Sequence, residues 1–136
     1  MAGYSKRTLA DKLGIKAGGR HLFVGVPPSY MNALGDMPTG AEVVAGPQVD
    51  LDFIHMFVTD EAVLRLELPG LRNALAQNGK LWVSWPKKAS GYPTNLTENL
   101  VREIGLENRL VDVKVAAVDE TWSGLKFVIR LQDRRR

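Results

Sequence analysis

The segment from Leu51 to Val58 constrains the fold of this chain more than any other part of the sequence. It reads Leu-Asp-Phe-Ile-His-Met-Phe-Val, so apolar residues occupy both its odd and its even positions. Because successive side chains of a β-strand point to opposite faces of the sheet, a strand with this pattern needs cover on both faces. Central strands of parallel sheets have that environment, with helices packed above and below. The sequence therefore predicts an α/β fold in which this strand lies near the middle of the sheet.

Apolar runs and helix signals alternate through the rest of the first hundred residues. Gly14 and Gly35 are predicted to end the first two helices. Pro69-Gly70 is predicted to kink or split the third, and Asn78-Gly79 to turn the chain into the strand that follows. The predicted strands are Arg20–Val26, Ala41–Val44, Leu51–Val58 and Lys80–Trp85. The predicted helices are Ser5–Leu13, Pro28–Leu34 and a stretch whose cap and first-turn acids are supplied by Thr59, Asp60 and Glu61 and which carries Leu64, Leu68, Leu71 and Leu75.

A fourth helix is predicted to begin near Asn95. Asn95 and Glu98 resemble a capping box, in which each side chain bonds a main-chain amide at the start of the helix. Gly105 is predicted to end this helix. Its buried stripe is predicted to consist of Leu96, Leu100 and Ile104.

The C-terminal part of the chain predicts a different arrangement. Two strand patterns, 110–118 and 125–131, are separated only by the segment from Asp119 to Gly124. A parallel crossover needs roughly a dozen residues or more, so these strands are predicted to form an antiparallel hairpin near a sheet edge. The 136 residues are predicted to fold as a single three-layer, Rossmann-like α/β domain over 1–132, followed by a basic tail at 133–136.

This order of parallel units, a helix and an antiparallel hairpin resembles an abbreviated class I methyltransferase fold, with its first half shortened. A nucleotide cofactor in such a fold needs a glycine-rich turn after the first strand, where bare backbone approaches the ligand. Here the turn reads Gly25-Val26-Pro27-Pro28-Ser29, and its two prolines remove amide donors. The second strand ends at Val44-Ala45-Gly46, without an acidic residue for a ribose. No cofactor is therefore predicted.

The residue content gives little support for a metal site or for nucleophilic catalysis. The chain has no cysteine, two histidines and no metal-spaced carboxylate motif, so no metal site is predicted. His55 lies between two phenylalanines on one strand face, where a core histidine is expected. No G-x-S-x-G motif is present, and Ser84, Ser90 and Ser123 lack a base at a recognisable spacing, which disfavours serine hydrolysis.

The charge of the chain does not indicate a nucleic-acid partner. Lysine and arginine number 18, aspartate and glutamate 15, and Arg134, Arg135 and Arg136 alone account for the net charge of +3. A terminal run of arginine is more often a solvated tail than a specific contact with a polyanion. No zinc-finger, RNP-like or recognition-helix pattern is present. With no secretory signal, no segment suited to a membrane and no cysteine, the expected location is the cytoplasm, without membrane contact.

The loop Trp85–Asn95 is the strongest candidate for a functional site. It follows a predicted parallel strand at the carboxyl edge of the sheet, where α/β domains bind ligands, and it contains two adjacent lysines. An anionic small molecule would meet positive charge and directional donors there. The candidate binding residues are Lys87, Lys88, Ser90, Gly91, Thr94 and Asn95 in this loop, and Asp119, Glu120, Trp122 and Ser123 in the hairpin turn, which is predicted to meet the loop. A solvated loop and a structural turn are the alternatives.

Two signature blocks carry a closer resemblance to a known family. They are Trp85-Pro86-Lys87-Lys88-Ala89-Ser90-Gly91 with the following 94–98, and 111–115 with Asp119-Glu120-Thr121-Trp122-Ser123-Gly124-Leu125-Lys126. The chain resembles, over nearly its whole length, an uncharacterised bacterial family, the domain-of-unknown-function family numbered 3052. The resemblance implies a small bacterial cytosolic protein, and the family carries no established activity.

Three function classes follow from these patterns. The first is a noncatalytic or regulatory module that binds an anionic small molecule or a protein partner at loop 86–95. The second is a small transferase-like enzyme in which Lys87 or Lys88 stabilises negative charge and Asp119 or Glu120 handles a proton. The third is a homo-oligomeric interaction scaffold that uses the edge hairpin.

Overall fold

The computed structural model describes residues 8–46 and 48–134. These residues form a six-stranded mixed sheet with helices on both faces. The strands are β1 (Arg20–Val24), β2 (Glu42–Val43), β3 (Leu51–Phe57), β4 (Leu75–Pro86), β5 (Leu110–Ala117) and β6 (Trp122–Ile129). The helices are α1 (Leu9–Leu13), α2 (Tyr30–Leu34), α3 (Glu61–Ala74) and α4 (Glu98–Glu107), and single 3₁₀ turns occupy Lys88–Ser90 and Leu131–Asp133.

The order of strands in the sheet is β2-β1-β3-β4-β6-β5. β1 pairs in parallel with both β2 and β3, and β3 pairs in parallel with β4. β6 then runs antiparallel to both β4 and β5. This confirms the predicted α/β fold with a mainly parallel sheet, a central strand at β3 and an antiparallel C-terminal hairpin.

Two apolar clusters, one on each side of the sheet, form the core. On one side α3 and α4 cover Ile54 and Met56 of β3. On the other side α1 and α2 cover Phe53 and Phe57 of the same strand. The predicted three-layer arrangement is therefore confirmed, and β3 contributes buried residues to both clusters.

Helix α3 begins where the sequence predicts but is not split. The side chain of Asp60 caps it by accepting hydrogen bonds from the amides of Ala62 and Val63. Pro69 lies inside the helix, which continues to Ala74. Because Pro69 is exposed, the carbonyl that loses its helical donor can be hydrated, which makes the proline tolerable.

The predicted turn at Asn78-Gly79 is wrong. Both residues lie inside β4, which pairs Leu51 with Leu75 and then Phe53 with Lys80, so extra residues of β4 bulge out between these pairs. A Cβ atom on Gly79 would lie 2.8 Å from the carbonyl oxygen of Leu51. The glycine therefore allows close approach of two strands and does not mark a turn.

Helix α4 differs from prediction at both ends. Its cap is Thr97, whose hydroxyl accepts from the amide of Leu100, whereas Asn95 bonds elsewhere. Gly105 does not end the helix, which continues to Glu107. A Cβ atom on Gly105 would collide with the ring of Phe127, so this buried glycine lets α4 pack closely on β6.

The termini of the described chain agree with prediction in part. The first helix is observed only over Leu9–Leu13, ended by Gly14 as expected, and Ser5 lies outside the described residues.

β5 forms a sheet edge and exposes Val113 and Val115, so pairing of this edge with another chain stays a prediction. The expected tail is partly bound, because Arg134 donates to the carbonyl of Ile129. Arg135 and Arg136 lie outside the described part. Within it, no helix is long and apolar enough to cross a membrane.

We expect the Gly105→Ala substitution to destabilise the protein by about 1–3 kcal/mol, because the added methyl group must displace Phe127 in a packed core. Urea unfolding followed by circular dichroism measures the change. Gly70→Ala is the matched control. Gly70 is also in a helix, but nothing lies within 4 Å of the position of its Cβ atom, so alanine should stabilise the protein by about 0.5–1 kcal/mol. Equal effects of the two substitutions would contradict the assigned packing.

Candidate functional site

A cleft opens at the carboxyl edge of the sheet between β1 and β3. The chain leaves β1 toward β2 on one side and returns to β3 on the other, so this is the point where the direction of strand order changes. Open α/β sheets bind ligands at such points. The carboxyl-edge cleft measures about 550 Å³ and is lined by Gly25, Val26, Pro27, Pro28, Phe57, Val58, Thr59, Asp60, Val63, Tyr92, Thr121 and Trp122.

The lysine loop and the hairpin turn meet beside this cleft. Pro86, at the end of β4, pairs with Trp122 at the start of β6. The amide of Lys87 donates to the carbonyl of Thr121 at 2.7 Å. The rings of Tyr92 and Trp122 lie 5.7 Å apart, centre to centre. One residue from each of the two loops, Tyr92 and Trp122, therefore forms a joint aromatic wall of the cleft.

The loop uses most of its own polar groups to fix its shape. The hydroxyl of Ser90 donates to the carbonyl of Lys87 at 2.7 Å and accepts from the amide of Tyr92. The amide of Gly91 donates to the carbonyl of Lys88. The hydroxyl of Thr94 donates at 2.6 Å to the carbonyl of Thr59, which lies in the loop after β3. Ser90, Gly91 and Thr94 thus hold the loop in place, and their donors are not directed at a ligand.

Asn95 joins the loop to the start of α3. Its side-chain oxygen accepts from the amide of Glu61 at 2.8 Å, and its side-chain amide donates to the Oδ1 atom of Asp60. The other carboxylate oxygen of Asp60 accepts from two helix amides. The N-terminus of α3 is therefore closed by side chains of the protein and has no amide left for an anion in its first turn.

The charged candidates behave differently from one another. Asp119 accepts from the amides of Thr121 and Trp122 through Oδ1, at 2.8 and 2.7 Å, and so stabilises the turn. Glu120 and Lys88 are exposed and Lys87 is half-buried. Among the described residues, the side chains of Lys87 and Lys88 form no ion pair with either acid. Neither lysine lines the cleft itself, but both lie on the loop that carries Tyr92, and their side chains are unpaired within the described part of the chain.

The remaining two candidates have structural positions. Trp122 is buried and packs against Phe57 at a centroid distance of 5.2 Å. Ser123 lies within β6, opposite Trp85. Trp122 lines the cleft, whereas Ser123 does not.

A second hollow of about 560 Å³ lies between the lysine loop and the start of α4, lined by residues that include Trp85, Lys88 and Glu98.

A buried polar chain beneath the cleft was missed by sequence reasoning. The Nδ1 atom of His55 lies 2.7 Å from the hydroxyl of Tyr30, and its Nε2 atom lies 2.8 Å from Oγ of Ser84. His55 and Ser84 are fully buried. Their pairing depends on the register of β3 and β4 and leaves no spacing in the sequence. Because no solvent reaches Ser84, the pair is a structural element and not a nucleophile with its base.

Burial sets the protonation of this chain. It lowers the pKa of His55 to about 3 and raises the pKa of Tyr30. The imidazole is therefore neutral at pH 7, with one ring nitrogen donating and the other accepting. No described group of histidine, aspartate and glutamate side chains is arranged to hold a metal ion.

Several solved structures that are similar to this chain are methyltransferases. A SAM-dependent methyltransferase from Aquifex aeolicus has a TM-score of 0.65 and 17% identity, over 89% of this chain and 88% of that one. Magnesium protoporphyrin IX methyltransferase from Synechocystis PCC 6803, with SAH bound, has a TM-score of 0.58 and 11% identity, and the match covers 89% of this chain and 78% of that one. A TehB-like SAM-dependent methyltransferase from Corynebacterium glutamicum has a TM-score of 0.57 and 12% identity, and the match covers 90% of this chain and 85% of that one.

These likenesses show the fold, which is an abbreviated class I methyltransferase fold, and at such identities they show the fold alone. No model of a known protein family and no curated protein matches the chain. The resemblance to the uncharacterised family numbered 3052 therefore stays a prediction.

We expect the stability of the protein to fall as the pH is lowered from about 6.5 toward 3. The unfolded chain binds a proton at His55 below its ordinary pKa of 6.5, whereas the folded chain keeps this imidazole neutral down to about pH 3. This difference removes about 1.4 kcal/mol of stability for each pH unit in that interval. Imidazole ¹⁵N chemical shifts at pH 4.5 provide the direct measurement. A protonated His55 in the folded protein at that pH would contradict the prediction.

We expect Asn95→Ala to cost about 1 kcal/mol of stability and to release the lysine loop from α3, because both of its side-chain hydrogen bonds are lost. Hydrogen exchange at the amide of Glu61 should become faster. Asn73→Ala, at an exposed position of α3, is the control and should leave that exchange rate unchanged. Equal exchange rates in the two variants would rule out the role assigned to Asn95.

Proposed function

We propose that this chain is a noncatalytic or regulatory small-molecule-binding protein built on the methyltransferase fold, with the carboxyl-edge cleft as its binding site. The observation that carries the proposal is the aromatic wall of Tyr92 and Trp122, which two separate loops build beside the point where strand order changes. Ligand sites in α/β domains combine such a position with a concave, mostly apolar surface and a few polar groups.

The lining of the cleft favours a ligand with a flat apolar part. Pro27, Pro28 and Phe57 line the cleft together with the aromatic wall, and flat rings stack favourably on such surfaces. Thr59 and Thr121 add a small number of polar groups that can orient the ligand. The cleft volume of about 550 Å³ suits a molecule of drug-like size.

An anionic group on the ligand would complement Lys87 and Lys88. These lysines follow Pro86 directly, on the loop that carries Tyr92, and neither is paired with an acid of the described chain. The other donors of the loop are used internally, so an anion would be attracted by charge more than by directed hydrogen bonds. We infer that an aromatic carboxylate or a similar organic anion is the class of ligand to test first.

The fold implies S-adenosylmethionine as a cofactor, but the residues at the cleft do not fit it well. A Cβ atom on Gly25 would lie 2.7 Å from the carbonyl oxygen of Phe57, so this glycine serves chain packing. The next two positions after Val26 are prolines without amide donors. Asp60 is the carboxylate in the lining, and both its oxygens are engaged in the α3 cap. The cleft therefore offers no uncommitted acid for ribose hydroxyls.

A transferase is the second candidate, and the methyltransferase fold is the observation that supports it. The similar structures described above include SAM-dependent methyltransferases over most of this chain. Under this alternative, Lys87 or Lys88 stabilises negative charge, and Glu120 is the acid available for a proton because Asp119 is bound in the turn. Binding of S-adenosylmethionine is the property that separates the two candidates.

We expect 2-naphthoate to bind in the carboxyl-edge cleft and to shift the amide signals of Val58, Thr59 and Thr121 in an NMR titration. Tyr92→Ala should weaken binding by about tenfold, because it removes half of the aromatic wall. Lys87→Ala/Lys88→Ala should weaken binding of the anion and leave binding of naphthalene-2-methanol, its neutral analogue, unchanged. Leu66→Ala, on the exposed face of α3, is the control and should bind as the unaltered protein does.

Titration with S-adenosylmethionine and S-adenosylhomocysteine completes the test. Saturation by either compound below about 1 mM, with shifts at the same amides, would favour the transferase, because substrates and cofactors of enzymes bind in that range. If 2-naphthoate binds and neither adenosyl compound does, the binding module is supported. Shifts by 2-naphthoate that leave Val58, Thr59 and Thr121 unaffected would exclude the cleft.

A further inference from the structure

Five of the chain's eight lysines lie together on one face of the sheet, away from the carboxyl-edge cleft. β4, β5 and β6 each provide one, and two come from α1 and the loop after it. We call these residues the lysine cluster: Lys12, Lys16, Lys80, Lys114 and Lys126. Lys80 pairs with Phe53 near the amino end of β3, so the cluster lies toward the opposite end of the parallel strands.

Strand register brings three of these side chains together. Lys114 lies directly opposite Lys126 in the β5–β6 pair. Lys126 also lies opposite Trp82 of β4, which makes Lys80 its diagonal neighbour on the same face. A Cβ atom on Gly14 would lie 3.2 Å from Nζ of Lys126 and 3.8 Å from Cδ of Lys80. Both lysines therefore extend over the glycine that ends α1.

No lysine of the cluster takes part in an ion pair with a described residue. All ion pairs recorded between described residues involve Arg65, Arg102 or Arg130, and none involves a lysine. Within the cluster, Lys12 donates to the carbonyl of Ala117 and Lys114 to the carbonyl of Lys12, at 3.1 and 3.3 Å. The remaining members, Lys16, Lys80 and Lys126, have no acceptor in the described part of the protein.

Burial and the neighbouring positive charges both act on Lys126. Its pKa is lowered, first by partial burial and then by the charges of Lys80, Lys114 and Lys16. Like charges placed directly opposite each other in a sheet destabilise it. The five lysines therefore repel one another when no anion is bound, and an anion bound among them would relieve that repulsion.

A hollow of about 370 Å³ borders the cluster and limits the size of that anion. Lys16 and Lys80 line it together with Asp52, Gly19 and Asn78, and the carboxylate of Asp52 accepts a hydrogen bond from the amide of Arg20 at 2.9 Å. The two aromatic rings in its wall, those of His21 and Phe53, are each 2% exposed, so neither is available for stacking of nucleic-acid bases. A concave hollow with several ammonium groups suits a compact, multiply charged ion more than an extended polymer.

We propose that the lysine cluster is a second binding site, for a small ligand that carries two or more phosphate groups. Lys16, Lys80 and Lys126 contact the phosphate oxygens, and Lys12 and Lys114 add long-range attraction. Binding stabilises the folded protein because it neutralises charges that repel one another. This site is separate from the carboxyl-edge cleft and stands whether or not the cleft binds a ligand.

Isothermal titration of the full chain with inorganic tripolyphosphate, at low and physiological ionic strength, tests the proposal. Lys80→Gln/Lys126→Gln should weaken binding by about tenfold or more. Arg65→Gln/Arg102→Gln changes the net charge by the same amount on α3 and α4, at the other face of the sheet, and should bind as the unaltered protein does. Without ligand, Lys80→Gln/Lys126→Gln should melt at a temperature no lower than that of the unaltered protein, because repulsion is relieved, so loss of folding would not explain the result.

Amide shifts at Gly14, Lys16, Gly18 and Gly19 on addition of tripolyphosphate would support the site. Equal affinities of the two double variants would overturn it, since binding would then follow net charge alone. A single-stranded oligonucleotide that binds more tightly than tripolyphosphate at physiological salt would also overturn it, in favour of a nucleic-acid surface. Tripolyphosphate that fails to bind even at low ionic strength would leave the cluster without the proposed role.

Discussion

The rest of the structure depends on the burial of β3 on both of its faces. Phe53 and Phe57 require cover by α1 and α2, and Ile54 and Met56 require cover by α3 and α4. His55 can occupy this strand because Tyr30 and Ser84 satisfy both of its ring nitrogens. The strands on either side of β3 are therefore parallel to it, since the crossover connections between parallel strands place helices on both faces of the sheet. The carboxyl-edge cleft is a consequence of the same constraint, because the loops after β1 and β3 must diverge to reach opposite sides.

The cleft is held by hydrogen bonds that are already formed without a ligand. Lys87 bonds to the hairpin turn, Thr94 bonds to the loop after β3, and Asn95 bonds to the start of α3. A ligand would therefore pay little of the ordering cost that usually opposes binding. The same hydrogen bonds explain why few donors remain to recognise an anion, which leaves Lys87 and Lys88 to do so by charge.

The sequence predicts those features that depend on local pattern. The two-sided apolar run of β3, the glycine that ends α1, the Asp60 cap and the C-terminal hairpin all follow from neighbouring residues. The predicted meeting of the lysine loop and the hairpin turn is observed, but other features that depend on contacts between distant segments were mistaken or missed. Asn95 caps a helix 34 residues earlier in the chain, and Gly105 is small because of Phe127. The Ser84–His55 pair and the lysine cluster arise from strand register, which no local spacing records.

The central claim is that the carboxyl-edge cleft is a ligand site with an aromatic wall. A crystal structure of the protein soaked with 2-naphthoate tests it most directly. The account predicts density for the naphthalene rings between Pro27 and the wall of Tyr92 and Trp122, with the carboxylate directed toward Lys87 or Lys88. Ligand density elsewhere on the protein, with this cleft filled only by solvent, would contradict the account.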